Sequence, residues 1–182
     1  MFCEGKVNPM LELGAGDFYI RGLNPKDINQ VFEILSNPIS VDYSGFKYCS
    51  NKEKTAEYLN QYYKPGFCLS DSIWAIEKNT DRKIVGLLKT KLVENDTICK
   101  ISVAVHYMYK VHKEISLSIS EVISYLFDFC KVHKIEAHCC TENNEFLNII
   151  EKLKMAYEAT IKDSLYINNR FYDVSIYSII KQ

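Results

Sequence analysis

A short basic segment stands immediately before a stretch of strong helical periodicity. Its cations are Lys110, His112 and Lys113. Lysine is an effective point-charge ligand for phosphate, and the N-terminus of a helix adds a field that favours an anion. The segment therefore indicates a phosphate-binding site, and the alternative is a solvated basic turn that leads into the helix.

Carboxylates and phenols on or beside predicted strands are candidates for acid–base chemistry. Glu77, Glu94 and Asp96 lie where a carboxylate could deprotonate an amine, and Tyr107 and Tyr109 follow a later strand, where a phenol could donate a proton. The alternatives are solvated strand ends for the carboxylates and simple packing for the tyrosines. We take Glu77 as the candidate base and Tyr107 as the candidate acid.

A histidine and two cysteines are adjacent at His138, Cys139 and Cys140, with His133 upstream. Successive residues of a strand point to opposite faces, so adjacent ligands cannot converge on one ion. The paired spacing of a structural zinc site is also missing. We therefore expect buried reduced thiols and no metal, and no Cys–His pairing that would make a nucleophile follows from the spacing.

Composition bounds the class of protein. The chain has 182 residues, of which 22 are basic, 23 are acidic and 47% are apolar. At about 150 residues per domain this predicts a single domain over residues 1–182, with residues 1–16 as an irregular N-terminal extension. The charge balance gives no argument for a nucleic-acid or membrane partner. Seven irregularly spaced cysteines and the absence of a signal-like or spanning apolar run predict a cytoplasmic protein.

Hydrophobic periodicity predicts the element order β-α-α-β-β-β-α-β-α-β-β. The clearest element is a helix over residues 115–133, with Ile119, Val122, Leu126 and Phe127 on its inward face. Because helices interrupt the strands without strict alternation, the order predicts a mixed sheet flanked by helices rather than a doubly wound sheet.

Glycine placement restricts where backbone can approach a ligand closely. No glycine follows Gly86, so the second half of the chain lacks a glycine-built phosphate loop. Gly86 itself stands inside a strand pattern and indicates a bulge or a close approach of backbone. Tyrosines cluster near the first helices, where they could line a substrate groove or form ordinary amphipathic surface; they are Tyr43, Tyr48, Tyr58, Tyr62 and Tyr63.

Local segments along the chain recur in the order of a known family. They are Tyr-Ile-Arg-Gly-Leu-Asn-Pro-Lys-Asp at 19–27, Lys-Ile-Val-Gly at 83–86, Ile-Glu-Ala at 135–137, Glu-Asn at 142–143, Glu-Lys-Leu at 151–153, and the closing segment at 169–179. Together with the element order, they resemble the GNAT N-acetyltransferases. The most similar subgroup comprises the enzymes that acetylate ribosomal-protein N-termini.

The resemblance implies an α/β fold of the α+β, GNAT-like kind, a mixed, mostly antiparallel sheet of about seven strands flanked by about four helices. The family binds the pyrophosphate of coenzyme A with a glycine-containing loop before a helix. In this chain Lys113 stands where the family has a glycine, and Ile115 where it has a small residue. The cofactor-binding residues that the resemblance implies are Val103, Val105, Lys110, Val111, His112, Lys113, Glu114, Ile115 and Asn143.

The acid–base positions of the family also differ. Lys100 stands where the subgroup has an acidic strand residue, and Ile150 stands near the position of a tyrosine acid. The function that the resemblance implies is transfer of an acetyl group from acetyl-CoA to a primary amine, such as a protein N-terminus or a small amine. The alternative is a catalytically silent GNAT-fold module that binds a ligand or a protein, and a homodimer is compatible with either.

Overall fold

Strand pairing joins distant parts of the chain into one sheet. Within residues 12–62, 71–109 and 113–181, which the computed structural model describes, this sheet has eight strands. In chain order they are β1 (Glu12–Ala15), β2 (Phe18–Gly22), β3 (Asp71–Lys78), β4 (Ile84–Val93), β5 (Ile98–Val105), β6 (Lys134–Cys140), β7 (Ala156–Ile167) and β8 (Arg170–Ile180). Their spatial order is β1-β2-β3-β4-β5-β6-β8-β7, and β5 with β6 is a parallel pair among antiparallel ones. The predicted mixed, mostly antiparallel sheet is confirmed.

Helices flank this sheet. Those in the described residues are α1 (Ile28–Leu35), α2 (Pro38–Val41), α3 (Lys52–Asn60), α4 (Lys113–Asp128) and α5 (Asn144–Lys152), with a single 3-10 turn at Pro25–Asp27. None in this part of the chain is long and apolar enough to cross a bilayer. The sequence predicts a loop where α2 lies. The short helix forms because Asn37 caps it, accepting from the Ile39 N–H at 2.9 Å, and Pro38 occupies its first turn.

The N-terminal extension was wrongly predicted to be irregular throughout. Its last part forms β1, which pairs with β2 through a tight turn in which Gly16 has φ +68°. That left-handed conformation suits glycine, so the turn closes without strain. Residues 1–11 lie outside the described part of the chain, and the single domain over 1–182 stays a prediction.

The core lies on both faces of the sheet. On one face α4 and α5 pack against the strands, and on the other α1 and α3 do. The predicted inward face of the long helix is confirmed, with Ile119, Val122 and Leu126 buried and Phe127 partly buried. The helix ends at Asp128 rather than at 133, and Lys131 follows in a left-handed turn with φ +58°.

The close approach predicted at Gly86 is confirmed. A Cβ added there would lie 2.9 Å from the carbonyl oxygen of Ala104, and the β3–β4 register shifts beside it. Gly86 therefore lets β4 lie close against the end of β5, where the two strands pair at Gly86↔Val105.

Candidate functional site

The parallel strands β5 and β6 separate partway along their length. Their register ends at Ile101↔Ala137. Beyond this pair β5 stays with β4 as far as Val105, and β6 stays with β8 as far as Cys140. The sheet therefore opens in a V between the ends of two adjacent strands.

Peptide groups of β5 face this opening. The His106 N–H donates to the Val85 carbonyl at 2.8 Å, toward β4. Because peptide groups alternate in direction along a strand, those of Val103 and Val105 face the β6 side. These two predicted cofactor-binding residues thus present backbone donors and acceptors beyond the last β5–β6 pair.

The predicted phosphate-binding segment is only partly described. Lys110, Val111 and His112 lie outside the described residues, and α4 begins at Lys113. Glu114 is in the first turn of α4, and the Ile115 side chain is fully buried in the core. Any contact between Ile115 and a diphosphate would therefore involve its backbone.

Asn143 connects α5 to the loop after α2. Its side-chain oxygen accepts from the Phe146 N–H at 3.1 Å, which caps α5, and its amide nitrogen donates to the Tyr43 carbonyl at 3.2 Å. Tyr43 has φ +66°, a conformation that costs energy for a residue with a side chain. Asn143 therefore holds a strained turn against the end of β6, and its predicted contact with the cofactor stays a prediction.

Cavities open on both sides of this strained turn. The β7-side cavity has a volume of about 290 Å³ and is lined by Val41, Asp42, Tyr43, Gly45, Phe46, Tyr48, Leu165 and Ile167. The α5-side cavity has a volume of about 350 Å³ and is lined by Pro38, Ile39, Asp42, Tyr43, Glu142, Asn143, Asn144 and Glu145. Asp42 and Tyr43 line both cavities and so form the wall between them.

The Tyr43 ring contacts Tyr172 edge-to-face, with ring centroids 5.0 Å apart. The hydrogen bond with Tyr172 raises the pKa of Tyr43 to about 12, so its phenol stays protonated at neutral pH. Of the tyrosines proposed from the sequence, Tyr43 and Tyr48 do line a cavity, whereas Tyr58 and Tyr62 pack on each other and against the core under α1 and α3. Tyr63 lies outside the described residues.

Glu77, the candidate base, is enclosed in an ion-pair cluster and is 1% exposed. Tyr19 donates to its carboxylate, Arg21 contacts it at 2.5 Å, and Arg82 contacts it at 2.6 Å. Arg21, on β2, also binds Asp27 at 2.7 Å. Through Arg21, Glu77 on β3 is linked to the turn that precedes α1. The carboxylate is committed to partners within the fold, two strands away from β5.

Burial and the hydrogen bond to Glu77 raise the pKa of Tyr19 to about 12. Its phenol therefore remains a donor to the Glu77 carboxylate over the physiological range.

Tyr107, the candidate acid, lies just beyond β5 and is 42% exposed. Its N–H donates to the Ser40 hydroxyl at 3.0 Å, which attaches the segment to α2. Its ring stacks on His106 with centroids 4.7 Å apart. The position is near the opening of the V, and the role of its hydroxyl stays a prediction.

His106 makes stability depend on pH. Burial lowers its pKa, with Lys83 adding to the effect, and Nδ1 accepts from the Met108 N–H at 3.3 Å. The unfolded chain therefore binds a proton at a higher pH than the folded chain, and the free energy of unfolding should fall as pH drops below the unperturbed value of 6.5.

Denaturant unfolding at about pH 7.5 and about pH 5.5 measures this loss of stability. Both pH values lie above the range where most carboxylates titrate. His106→Asn keeps a side-chain acceptor near the Met108 N–H but does not titrate, so we expect it to reduce the loss. An unchanged loss in the variant would show that another group causes it.

Some residues of the site have no clear signal in the sequence. Asp42 lies in residues 39–50, where the polar composition predicts a loop and no particular chemistry. The sequence brings His138 into question as a metal ligand or as the partner of a cysteine nucleophile, and in the described residues no group of three His, Cys, Asp or Glu side chains could hold an ion. His138 instead contacts Glu136 at 3.1 Å. Their spacing of two along a strand, which puts both on one face, could have suggested this pair.

Comparison with known proteins agrees with this architecture. The family model described as acetyltransferase (GNAT) domain matches residues 17–156. The uncharacterized N-acetyltransferase YoaA of Bacillus subtilis is 22% identical over 177 residues, covering 95% of this chain and 97% of YoaA.

Solved structures share the fold at low identity. A GNAT-family acetyltransferase from Bacillus anthracis superposes with a TM-score of 0.80 at 20% identity, covering 93% of this chain and 98% of that one. RimL, a ribosomal L7/L12 alpha-N-protein acetyltransferase in complex with coenzyme A, has a TM-score of 0.80 at 12% identity, with the same coverage of 93% and 98%. Because the family model covers more than half of the chain, the protein belongs to the GNAT acetyltransferase family.

Proposed function

We propose that this protein transfers the acetyl group of acetyl-CoA to a primary amine at the opening between β5 and β6. The observation that carries the proposal is the end of the β5–β6 register at Ile101↔Ala137, with the peptide groups of Val103 and Val105 beyond it. The pantetheine arm of coenzyme A contains amides, which can pair with such groups as an added strand does. The backbone at this opening therefore fits the donor substrate of the family.

The basic segment supplies charge for the diphosphate. In this proposal Lys110, His112 and Lys113 attract it at the start of α4, where the field of the helix N-terminus also favours an anion. Charge then substitutes for the glycine that the family has at the position of Lys113. Affinity for acetyl-CoA should depend on ionic strength, because salt screens exposed charges.

The β7-side cavity is suited to the acceptor. Its lining is mainly apolar and aromatic, with Asp42 as its carboxylate. It fits an amine that carries an apolar group, such as the exposed N-terminus of a protein or a small arylalkylamine. RimL, whose name specifies a protein N-terminus as acceptor, has the same fold. A homodimer and a cytoplasmic location stay predictions.

A binding module without catalysis is the second candidate. It is favoured by Lys113 at the glycine position and by Ile150, which is buried where the family has a tyrosine. The two candidates differ in whether bound acetyl-CoA reacts.

Calorimetric titration with acetyl-CoA at low and high salt, followed by measurement of thiol release, tests both. The acceptors are phenethylamine, a hexapeptide with a free N-terminal methionine, and spermidine. We expect binding that weakens with salt, and thiol release with phenethylamine or the peptide. Binding without release to any of the three amines would support the silent module, and no binding at millimolar acetyl-CoA would exclude the proposed donor. Binding that does not depend on salt would exclude a role for the basic segment in holding the diphosphate, while the rest of the proposed function would stand.

A further inference from the structure

A histidine–carboxylate pair lies on one face of β6. His138 Nε2 is 3.1 Å from Glu136 Oε2, and Lys134 Nζ is 2.9 Å from Glu136 Oε1. Lys134 also binds Glu158 on β7 at 2.8 Å. Glu136 is therefore held from both sides, and it fixes the orientation of the His138 ring.

The pair lies at the opening of the V. The register of β5 with β6 ends at Ala137, so His138 is the first residue of β6 beyond it. Ala137 and Cys139 are buried on the face of α4 and α5, so alternation puts His138 on the opposite face, with Ser102 of β5 in the neighbouring strand. The loop after α2 rests on that face, since a Cβ added to Gly45 would lie 3.3 Å from the Ser102 hydroxyl. His138 thus lies on the face of the sheet that the loop after α2 covers at Ser102.

The hydrogen bonds determine which nitrogen can accept a proton. Burial acts to raise the pKa of Glu136, but hydrogen bonds from Lys134 and His138 outweigh it, and the pKa is lowered below its usual value. An ionised carboxylate only accepts, so the His138 proton lies on Nε2 and Nδ1 is left as an acceptor. Nδ1 has no hydrogen-bond partner among the described residues, and the side chain is 32% exposed.

Charged and titratable groups surround the pair on the same face. β6 contributes Cys140, which is buried and whose pKa burial raises, as well as Lys134. From the other elements the groups are Lys100 on β5, Glu158 on β7, Tyr172 on β8, and Asp42 and Tyr43 on the loop.

We propose that His138 is the catalytic base of this protein and that Glu136 is its positioning residue. The proposal rests on the proposed acetyl transfer. His138 Nδ1 takes one proton from the ammonium form of the acceptor, and the neutral nitrogen attacks the thioester carbonyl carbon. The C–N bond forms as the C–S bond breaks, the departing thiolate takes the second amine proton, and protonated His138 releases its proton to solvent.

Three variants test the base, each assayed with whichever of the three amines the wild-type protein acetylates fastest. His138→Gln should lower kcat by about 100-fold or more and remove the acidic limb of the kcat/KM profile. Glu136→Gln should lower kcat less than His138→Gln does and leave the KM for acetyl-CoA close to wild type, because a neutral amide oxygen accepts a weaker hydrogen bond from Nε2 and holds the ring less firmly. Added imidazole should partly restore the rate of His138→Ala.

His133→Gln is the matched control, since His133 is exposed and precedes β6. It should keep the wild-type profile, and thermal melts establish that every variant is folded. If wild-type protein acetylates the amine and His138→Gln keeps both its rate and its acidic limb, His138 is not the base although the proposed function stands. If Glu136→Gln leaves kcat unchanged, or changes only the KM for acetyl-CoA, Glu136 does not position the base. If wild-type protein acetylates none of the three amines, the proposed function fails first and the base assignment fails with it.

Discussion

Replacing Glu77 with glutamine is expected to destabilise the fold by about 3 kcal/mol while leaving acetyl transfer by the folded protein close to wild type. The carboxylate is buried and contacts Tyr19, Arg21 and Arg82. A neutral amide leaves Arg21, which is itself mostly buried, with a single carboxylate partner at Asp27. The cost is at the lower end of the range for a broken buried pair because Asp27 remains and Arg82 is exposed.

Denaturant unfolding measures the stability of this variant, and kcat at a temperature where it is fully folded measures its activity. Glu94→Gln is the matched control, because Glu94 stands in the turn after β4 and should change stability little. A folded Glu77→Gln protein with kcat reduced 100-fold or more would return Glu77 to the role of base that the sequence suggests for it.

Replacing Val105 with proline is expected to weaken acetyl-CoA binding by about tenfold, the equivalent of one hydrogen bond. The protein should lose less stability than it does with proline at the neighbouring residue, Ala104. Proline removes an N–H that faces the opening of the V and leaves the β4–β5 hydrogen bonds in place. Proline is tolerated on the unpaired side of a strand for this reason.

The neighbouring substitution Ala104→Pro is the control, and we expect it to lower stability rather than to weaken acetyl-CoA binding. The Ala104 N–H points toward β4, where Ala104 pairs with Leu87, so proline there removes a β4–β5 hydrogen bond and should lower stability more than proline at 105 does. Calorimetry with acetyl-CoA and thermal melts of both proteins measure the contrast. If Val105→Pro binds acetyl-CoA as tightly as wild type, the strand-like pairing of the pantetheine arm is not used at this residue.

The sequence predicts a candidate site residue only where a local pattern or the family resemblance points to it. Val103 and Val105 come from the resemblance, and the structure adds the reason that their peptide groups lie past the last β5–β6 pair. The resemblance also points to Asn143, but the sequence does not predict the hydrogen bond of its side chain to the Tyr43 carbonyl, because Tyr43 is 100 residues away. Short-range sequence pattern contains no information on such a contact.

Periodicity determined the outline of the fold from the sequence alone. The buried stripe of α4 repeats with the helical period, and the Asn168-Asn169 turn between β7 and β8 follows from residues that tolerate positive φ, here 50° and 61°. Both are local effects, in which the chain responds to its own neighbours, so sequence reasoning finds them.

Only the tertiary structure decided which polar groups meet. Glu77 lies 58 residues from Tyr19, and the register of β2 with β3 pairs them directly. His138 becomes a candidate base because the β5–β6 register stops one residue before it and because Lys134 holds Glu136. A shift of one residue in either register would move these side chains to the other face, and register depends on the packing of the whole sheet rather than on any local pattern.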